Sequence, residues 1–275
     1  MMQKVFLFPG LRHIGYDSGF SIPLKAEVSQ TADLYAEVLL FSQGCLAMRH
    51  EVALGELNAL FYRGWNTDWF PAESLPAFGD ELFCVRLKSR NNPEKNLPRT
   101  DIEAQMLFRQ KDNWVSSVLT GLVPARAPGY RFAPIIHTAH YIASEPEVET
   151  ISLFMNLKDA SHADPIDGGM LNAEISSRTG EHLSTVQFPV KGNATVAISS
   201  DDLLARSGLS EEQGRRGINV KFWGGASQFS ILTLYRNRQN GSIGVEHSLA
   251  PLYYLPDLLK PEVRSLVYQQ FKVKS

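Results

Sequence analysis

The sequence predicts an all-β protein: two tandem antiparallel β-sandwich domains related by duplication, followed by a short C-terminal helix. Three observations predict it. Apolar and polar residues alternate with a period of two along most of the chain, which gives each strand one face for a core. Turn-forming pairs punctuate the alternation at Gln43-Gly44, Leu54-Gly55, Thr179-Gly180, Lys191-Gly192 and Asn240-Gly241. The second half also repeats the first. Leu34-Tyr35-Ala36-Glu37-Val38 lies over Leu171-Asn172-Ala173-Glu174-Ile175, with Leu46 over Leu183 and Gly55 over Gly192 in the same register.

The alternation places strands at 4–8, 20–29, 34–42, 45–53, 56–63, 81–88, 101–109 and 114–120 in the first half. The second half has them at 132–142, 150–158, 171–179, 182–190, 193–199, 217–223, 229–237 and 242–249. Asn240-Gly241 predicts a hairpin with a type I′ turn, because both residues tolerate positive φ. Helical signals are few. Ser200-Asp201-Asp202 supplies capping residues for a short helix that ends before Gly208. Pro261 suits a first helical turn, after an extended arm over Pro251–Pro256. Leu259, Val263, Leu266, Val267 and Phe271 then form one apolar stripe, with Lys260, Glu262, Arg264, Gln269 and Gln270 mostly opposite.

Further agreement between the halves comes from Leu107-Phe108-Arg109 over Leu234-Tyr235-Arg236 and Asn113 over Asn240. The boundary falls in Val123-Pro124-Ala125-Arg126-Ala127-Pro128-Gly129. The domains are therefore 1–122 and 130–250, joined by the linker 123–129, with the arm and helix over 251–275. Two such repeats are expected to pack about a pseudo-twofold.

With 275 residues, 44% hydrophobic and 20% charged, the chain has ample material for a core and is no disordered, collagen-like or coiled-coil protein. Lys plus Arg is 27 against 29 for Asp plus Glu, which gives no electrostatic case for nucleic acid or an anionic membrane. No stretch approaches the ~18 apolar residues of a membrane span. Val5-Phe6-Leu7-Phe8 is cut short by Pro9-Gly10 and is no signal peptide, so a cytoplasmic location is expected. Cys45 and Cys84 lie in apolar runs and read as buried thiols.

The second repeat resembles the sensory rhodopsin transducer family of small β-sandwich proteins. The resemblance rests on Thr150–Asn156, Ala173-Glu174-Ile175, Phe188-Pro189-Val190 leading to Ala197–Leu203, and Ile243-Gly244-Val245-Glu246-His247-Ser248. It implies a non-enzymatic cytoplasmic binding or adaptor module that associates into oligomers. At the place of His247 the first repeat has Val118 or Leu119.

Few residues offer chemistry. His247 alternates with Ile243, Val245 and Leu249 and reads as a packed core histidine, or as a ligand residue together with Glu246. His137 and His140 are three apart, which on a regular strand places them on opposite faces and prevents joint chelation. The loop from Lys158 to Gly169 carries Asp159, Asp164 and Asp167, which could wrap Ca²⁺ but lack the EF-hand spacing. Trp65-Asn66-Thr67-Asp68-Trp69-Phe70 reads as a loop anchored over an open core edge. The sharper reading makes Trp65 and Trp69 an aromatic platform, with Asn66 and Asp68 as polar partners. No nucleophile elbow, Walker loop, dinucleotide fingerprint or zincin motif is present. The expectation is a binding or adaptor protein for a protein partner or small ligand, in a homo-oligomer. The alternative is a carbohydrate-binding or carbohydrate-active protein acting at the sandwich ends.

Overall fold

The computed structural model describes residues 5–23, 34–53, 61–71, 79–89, 104–110, 113–119, 137–142, 147–157, 166–215, 217–224 and 229–247. The first half contains β1 (Val5–Pro9), β2 (Asp17–Pro23), β3 (Leu34–Ser42), β4 (Cys45–Ala53), β5 (Phe61–Trp65), the single-turn helix α1 (Asn66–Trp69), β6 (Leu82–Ser89), β7 (Ala104–Gln110) and β8 (Asn113–Leu119). The second contains β9 (His137–Ile142), β10 (Val148–Asn156), β11 (Ile166–Ser177), β12 (His182–Gly192), β13 (Ala194–Ser199), α2 (Ser200–Ser207), α3 (Glu211–Arg215), β14 (Ile218–Gly224), β15 (Phe229–Asn237) and β16 (Ile243–His247).

These strands form four antiparallel sheets. Sheet I has the order β1-β6-β3-β4 and sheet II the order β5-β2-β7-β8. Sheet III is β9-β14-β11-β12 and sheet IV is β13-β10-β15-β16. Strand for strand, III repeats the order of I and IV repeats that of II. Side chains follow the same correspondence. Glu37 faces Arg86 across β3 and β6 as Glu174 faces Lys221 across β11 and β14. Asp17 faces Arg109 across β2 and β7 as Glu149 faces Arg236 across β10 and β15.

Sheet I buries apolar side chains on both faces, so it must be covered twice. Its Phe8 and Phe83 side meets sheet II and α1, where the Phe8 and Phe20 rings lie 5.4 Å apart and Phe70 lies 6.0 Å from Phe83. Its other side carries buried Leu7, Leu39, Phe41 and Cys84, which share one core with Ile151, Leu153, Met155, Leu232 and Leu234 of sheet IV. The opposite face of sheet IV, with Phe154 and Ile231, closes a second core with sheet III and α2. The four layers therefore stack II–I–IV–III.

This order overturns the expected pseudo-twofold, which would bring equivalent sheets together. Here sheet I packs on sheet IV, the counterpart of II. The outer faces supply the reason. Where sheet I presents Leu39 and Cys84, sheet III presents Ser176 and Asn219, and Ser176 Oγ donates to the Asn219 carbonyl. Burying Leu39 and Cys84 is favourable, whereas burying Ser176 and Asn219 would cost desolvation.

The seam between the halves also holds polar bonds. The Thr195 N–H donates to the Asp80 carbonyl at 3.0 Å and its hydroxyl donates to the Glu81 carbonyl at 2.7 Å. Lys191 reaches Asp80 at 3.3 Å. Beyond the β1 edge of sheet I, sheets II and IV converge so that β16 runs beside β8. There the Tyr16 hydroxyl donates to the Gly241 carbonyl.

Several expectations change in detail. The hairpin at Asn240-Gly241 is present as β15–β16, but it is a four-residue turn with only Gly241 at positive φ, not type I′. Its Asn237 carbonyl accepts from the Gly241 N–H, and the Asn237 amide oxygen accepts from Gln239 and Asn240, so side-chain bonding decides the turn type. The predicted loop 158–169 is already strand from Ile166 onward. The linker 123–129 and the arm and helix over 251–275 lie outside the described residues.

Candidate functional site

The aromatic run Trp65–Phe70 is the end of β5 and the turn α1, and it divides between core and surface. Asn66 is buried, Trp69 packs on Phe20 at 5.0 Å, and Phe70 sits between Phe83 and His50. Trp69 and Asn66 are therefore anchors, not platform residues. Trp65 and Asp68 remain at the surface, half-buried and exposed respectively.

The counterpart in the second half shows what this segment is. The register Gly19–Trp65 matches Ile151–Ser199, so Trp65 stands where Ser199 begins α2. Ser199 caps that helix reciprocally: its hydroxyl accepts the Asp202 N–H and its own N–H donates to Asp202 Oδ2, each at 3.0 Å. Trp65 keeps only half of the device, donating its N–H to Asp68 Oδ2 at 2.9 Å. An indole carries no acceptor, so the other half is lost.

Instead the indole lies across sheet II. A Cβ at Gly19 would come within 2.8 Å of the Trp65 ring and 2.4 Å of the Gly64 carbonyl, so only glycine leaves room for it. Beyond Gly19, the Arg109 guanidinium stacks over the ring at 4.4 Å. Arg109 is fixed in turn: Nε donates to Asp17 Oδ2 at 3.0 Å and Nη2 to Thr67 Oγ1 at 2.8 Å. Thr67 donates to the same Asp17 oxygen at 2.7 Å. The result is a rigid, half-open aromatic and cationic surface that can stack on a flat or CH-faced ligand.

Among the described residues, the structure brings no other predicted residue to this place. Glu246 is exposed on β16 and accepts the Tyr235 hydroxyl at 2.9 Å. Burial, reinforced by that bond, pushes the Tyr235 phenol up to about 12. His247 ends β16 opposite Leu232, and its register counterpart is Val118. Asp159 and Asp164 lie outside the described residues, and Asp167 is in a strand opposite Lys191, not in a calcium-type loop. His137 and His140 pair with Phe222 and Val220 across an irregularity in β9–β14. Cys84 is buried in the seam, where desolvation pushes its thiol up to about 12. A separate groove of about 600 Å³ at the β11–β12 turn is lined by Ser177, Arg178, Thr179, Glu181, Gln213 and Arg215.

Sequence reading missed Gly19, Asp17, Thr67 and Arg109. Laying Trp65–Phe70 over Ser199–Leu204 would have marked Trp65 as an odd cap.

The sequence matches no protein-family model and no curated protein. Among solved structures it is similar to a β-glucuronidase from glycoside hydrolase family 2, at 10% identity and TM-score 0.20, over 90% of this chain and 23% of that one. It is also similar to Bacteroides uniformis β-glucuronidase, at 12% identity and TM-score 0.17, over 90% of this chain and 26% of that one. The chain thus spans about a quarter of the length of those chains.

Proposed function

We propose that the protein is a non-catalytic binding or adaptor module, with Trp65 on the outer face of sheet II as its contact residue. One observation carries the reading. Trp65 occupies a cap position that its counterpart Ser199 fills correctly, and a cap residue of the wrong type costs about 1 kcal/mol. Proteins depart from local rules mainly at functional sites. The ion pairs support a framework role for the remaining charges, because Asp17–Arg109 and Glu37–Arg86 recur as Glu149–Arg236 and Glu174–Lys221. A reactive set would have no reason to occur in both halves.

The same reading includes a tandem duplication, the sensory rhodopsin transducer-like resemblance, a cytoplasmic location and association with a protein partner or further copies. Carbohydrate binding is the second reading. The half-open indole beside exposed Asp68 favours it, since sugar CH faces stack on aromatic rings.

A thermal-shift screen of sugars, nucleotides, divalent metals and peptides tests the proposal, since a ligand at 100 Kd stabilises by about 2.7 kcal/mol. The expected hit stabilises the native protein, fails with Trp65→Ser and is recovered chemically unchanged. Turnover of the ligand, or an equal shift in Trp65→Ser, would overturn the proposal.

A further inference from the structure

Sheet I ends at β4, and among the described residues no strand pairs with the outer edge of that strand. The corresponding edge of sheet III is blunted. Its strand β12 contains Pro189, which has no N–H, and its Gln187 carbonyl accepts from Arg206 Nη1 of α2 at 3.3 Å. β4 has no proline, and Arg49, His50 and Glu51 are all exposed although successive residues point to opposite faces. A strand open on both faces offers its outward N–H and C=O groups to another strand. Its charges are also unevenly served. Glu51 stands directly across from Glu37 in the β3–β4 register, and like charges facing each other across a ladder are unfavourable. Glu37 holds Lys88, Arg86 and Arg49, whereas among the described residues no cation pairs with Glu51. Arg49 keeps 55% of its side chain exposed beside Glu37.

We infer that β4 pairs antiparallel with β4 of a second copy of this chain, joining two copies of sheet I across a twofold centred on His50. The inference rests on the adaptor reading only for the expectation of further copies, and Trp65 has no part in it. Register decides the centre. Directly opposed side chains share a face, so a twofold normal to an antiparallel pair sets one residue opposite itself. Centring on Arg49 or Glu51 would oppose two like charges. Centring on Met48 would draw in the bulge at Ala47, where Leu40 and Phe41 oppose Met48 and Leu46. Centring on Val52 would leave Glu51 facing Ala53. Centring on His50 sets Arg49 opposite Glu51 of the second copy and Met48 opposite Val52 of the second copy, each twice. Each Glu51 then gains a cation where its own chain gives it none. Met48 and Val52 are half-buried at the margin of the core, and the pairing extends their cover. Five residues from each copy make a small interface, so the dimer is weak and forms in proportion to concentration.

Sedimentation velocity on the full chain, without ligand, tests the pairing. The mass should climb from monomer toward dimer with concentration. Glu51→Arg, which sets Arg49 against a like charge at both contacts, should weaken association about tenfold or more with an unchanged circular dichroism spectrum. A native chain that stays monomeric, or an equally strong dimer of Glu51→Arg, would overturn the inference. A second measurement reads the register in a Cys45→Ser background, where Cys84 is buried. His50→Cys should be joined into a dimer by a short bismaleimide, because opposed Cβ atoms lie about 5 Å apart. Ala53→Cys should not, since its equivalent lies six residues along the other strand, about 20 Å away. Equal crosslinking of the two, or none of His50→Cys where the native mass is dimeric, would place the contact elsewhere and refute the proposal. Either failure leaves the ligand screen against Trp65→Ser standing, because that screen does not depend on dimer mass.

Discussion

The hydroxyl of Thr195 on β13 donates to the backbone carbonyl of Glu81, 114 positions away in sequence, at 2.7 Å in a buried setting. This bond, with the Thr195 N–H to Asp80, ties the two residues just before β6 to sheet IV. The Glu81 carbonyl also accepts from Gly10, so it keeps one partner when Thr195 is changed. Thr195→Val should therefore cost about 1 kcal/mol, and Thr195→Ser should recover most of it. Urea midpoints check both; a Val variant as stable as wild type would remove the bond from the seam.

Glu37 and Glu174 occupy equivalent positions in unlike surroundings. Glu37 is 2% exposed and meets Lys88 at 2.9 Å and Arg86 and Arg49 at 3.4 Å. Glu174 is 39% exposed and meets Lys221 at 3.1 Å. Glu37→Gln removes a buried carboxylate from beneath three cations and should cost about 3–5 kcal/mol. Glu174→Gln should cost less than about 1 kcal/mol. Equal losses in chemical denaturation would contradict the II–I–IV–III layer order.

The same order predicts an asymmetry between Leu39 and Ser176. Leu39→Ser gives the buried position the residue of its counterpart and should cost roughly 3–5 kcal/mol through a lost side chain and a buried hydroxyl. Ser176→Leu on the outer face of sheet III should leave stability within about 1 kcal/mol and instead promote association, seen by light scattering as a concentration-dependent mass. A variant that stays at the wild-type mass would show that face to be closed to stacking for other reasons.

Cys84 gives a pH prediction. Its thiol is raised from an ordinary 9.0 to about 12, first by desolvation. An acid whose folded value is raised is held neutral by the fold, so the contribution is complete below pH 9 and is lost as pH climbs through about 12. Cys84→Ala should flatten the decline in urea stability above pH 9, at the cost of a small cavity at every pH. In the native protein a thiol reagent should label half-buried Cys45 and reach Cys84 only on unfolding.

The sequence by itself determined the all-β class, most strand positions, the hairpins and the kinship of pattern between Leu34–Val38 and Leu171–Ile175. Those features are local: period-two alternation and turn residues act between near neighbours. It also contained the division within Trp65–Phe70, since Trp69 and Phe70 stand where Leu203 and Leu204 do. Only the tertiary structure decided how the halves meet and where Trp65 goes. Leu39 and Phe41 look in sequence like half of any strand, and it takes the covered far side of sheet I to reveal that both faces are core. Gly19 and Arg109 lie far from Trp65 in the chain, and pairing across β5, β2 and β7 is what sets an indole over a glycine and under a guanidinium. Such contacts depend on register and sheet order, which no local pattern encodes.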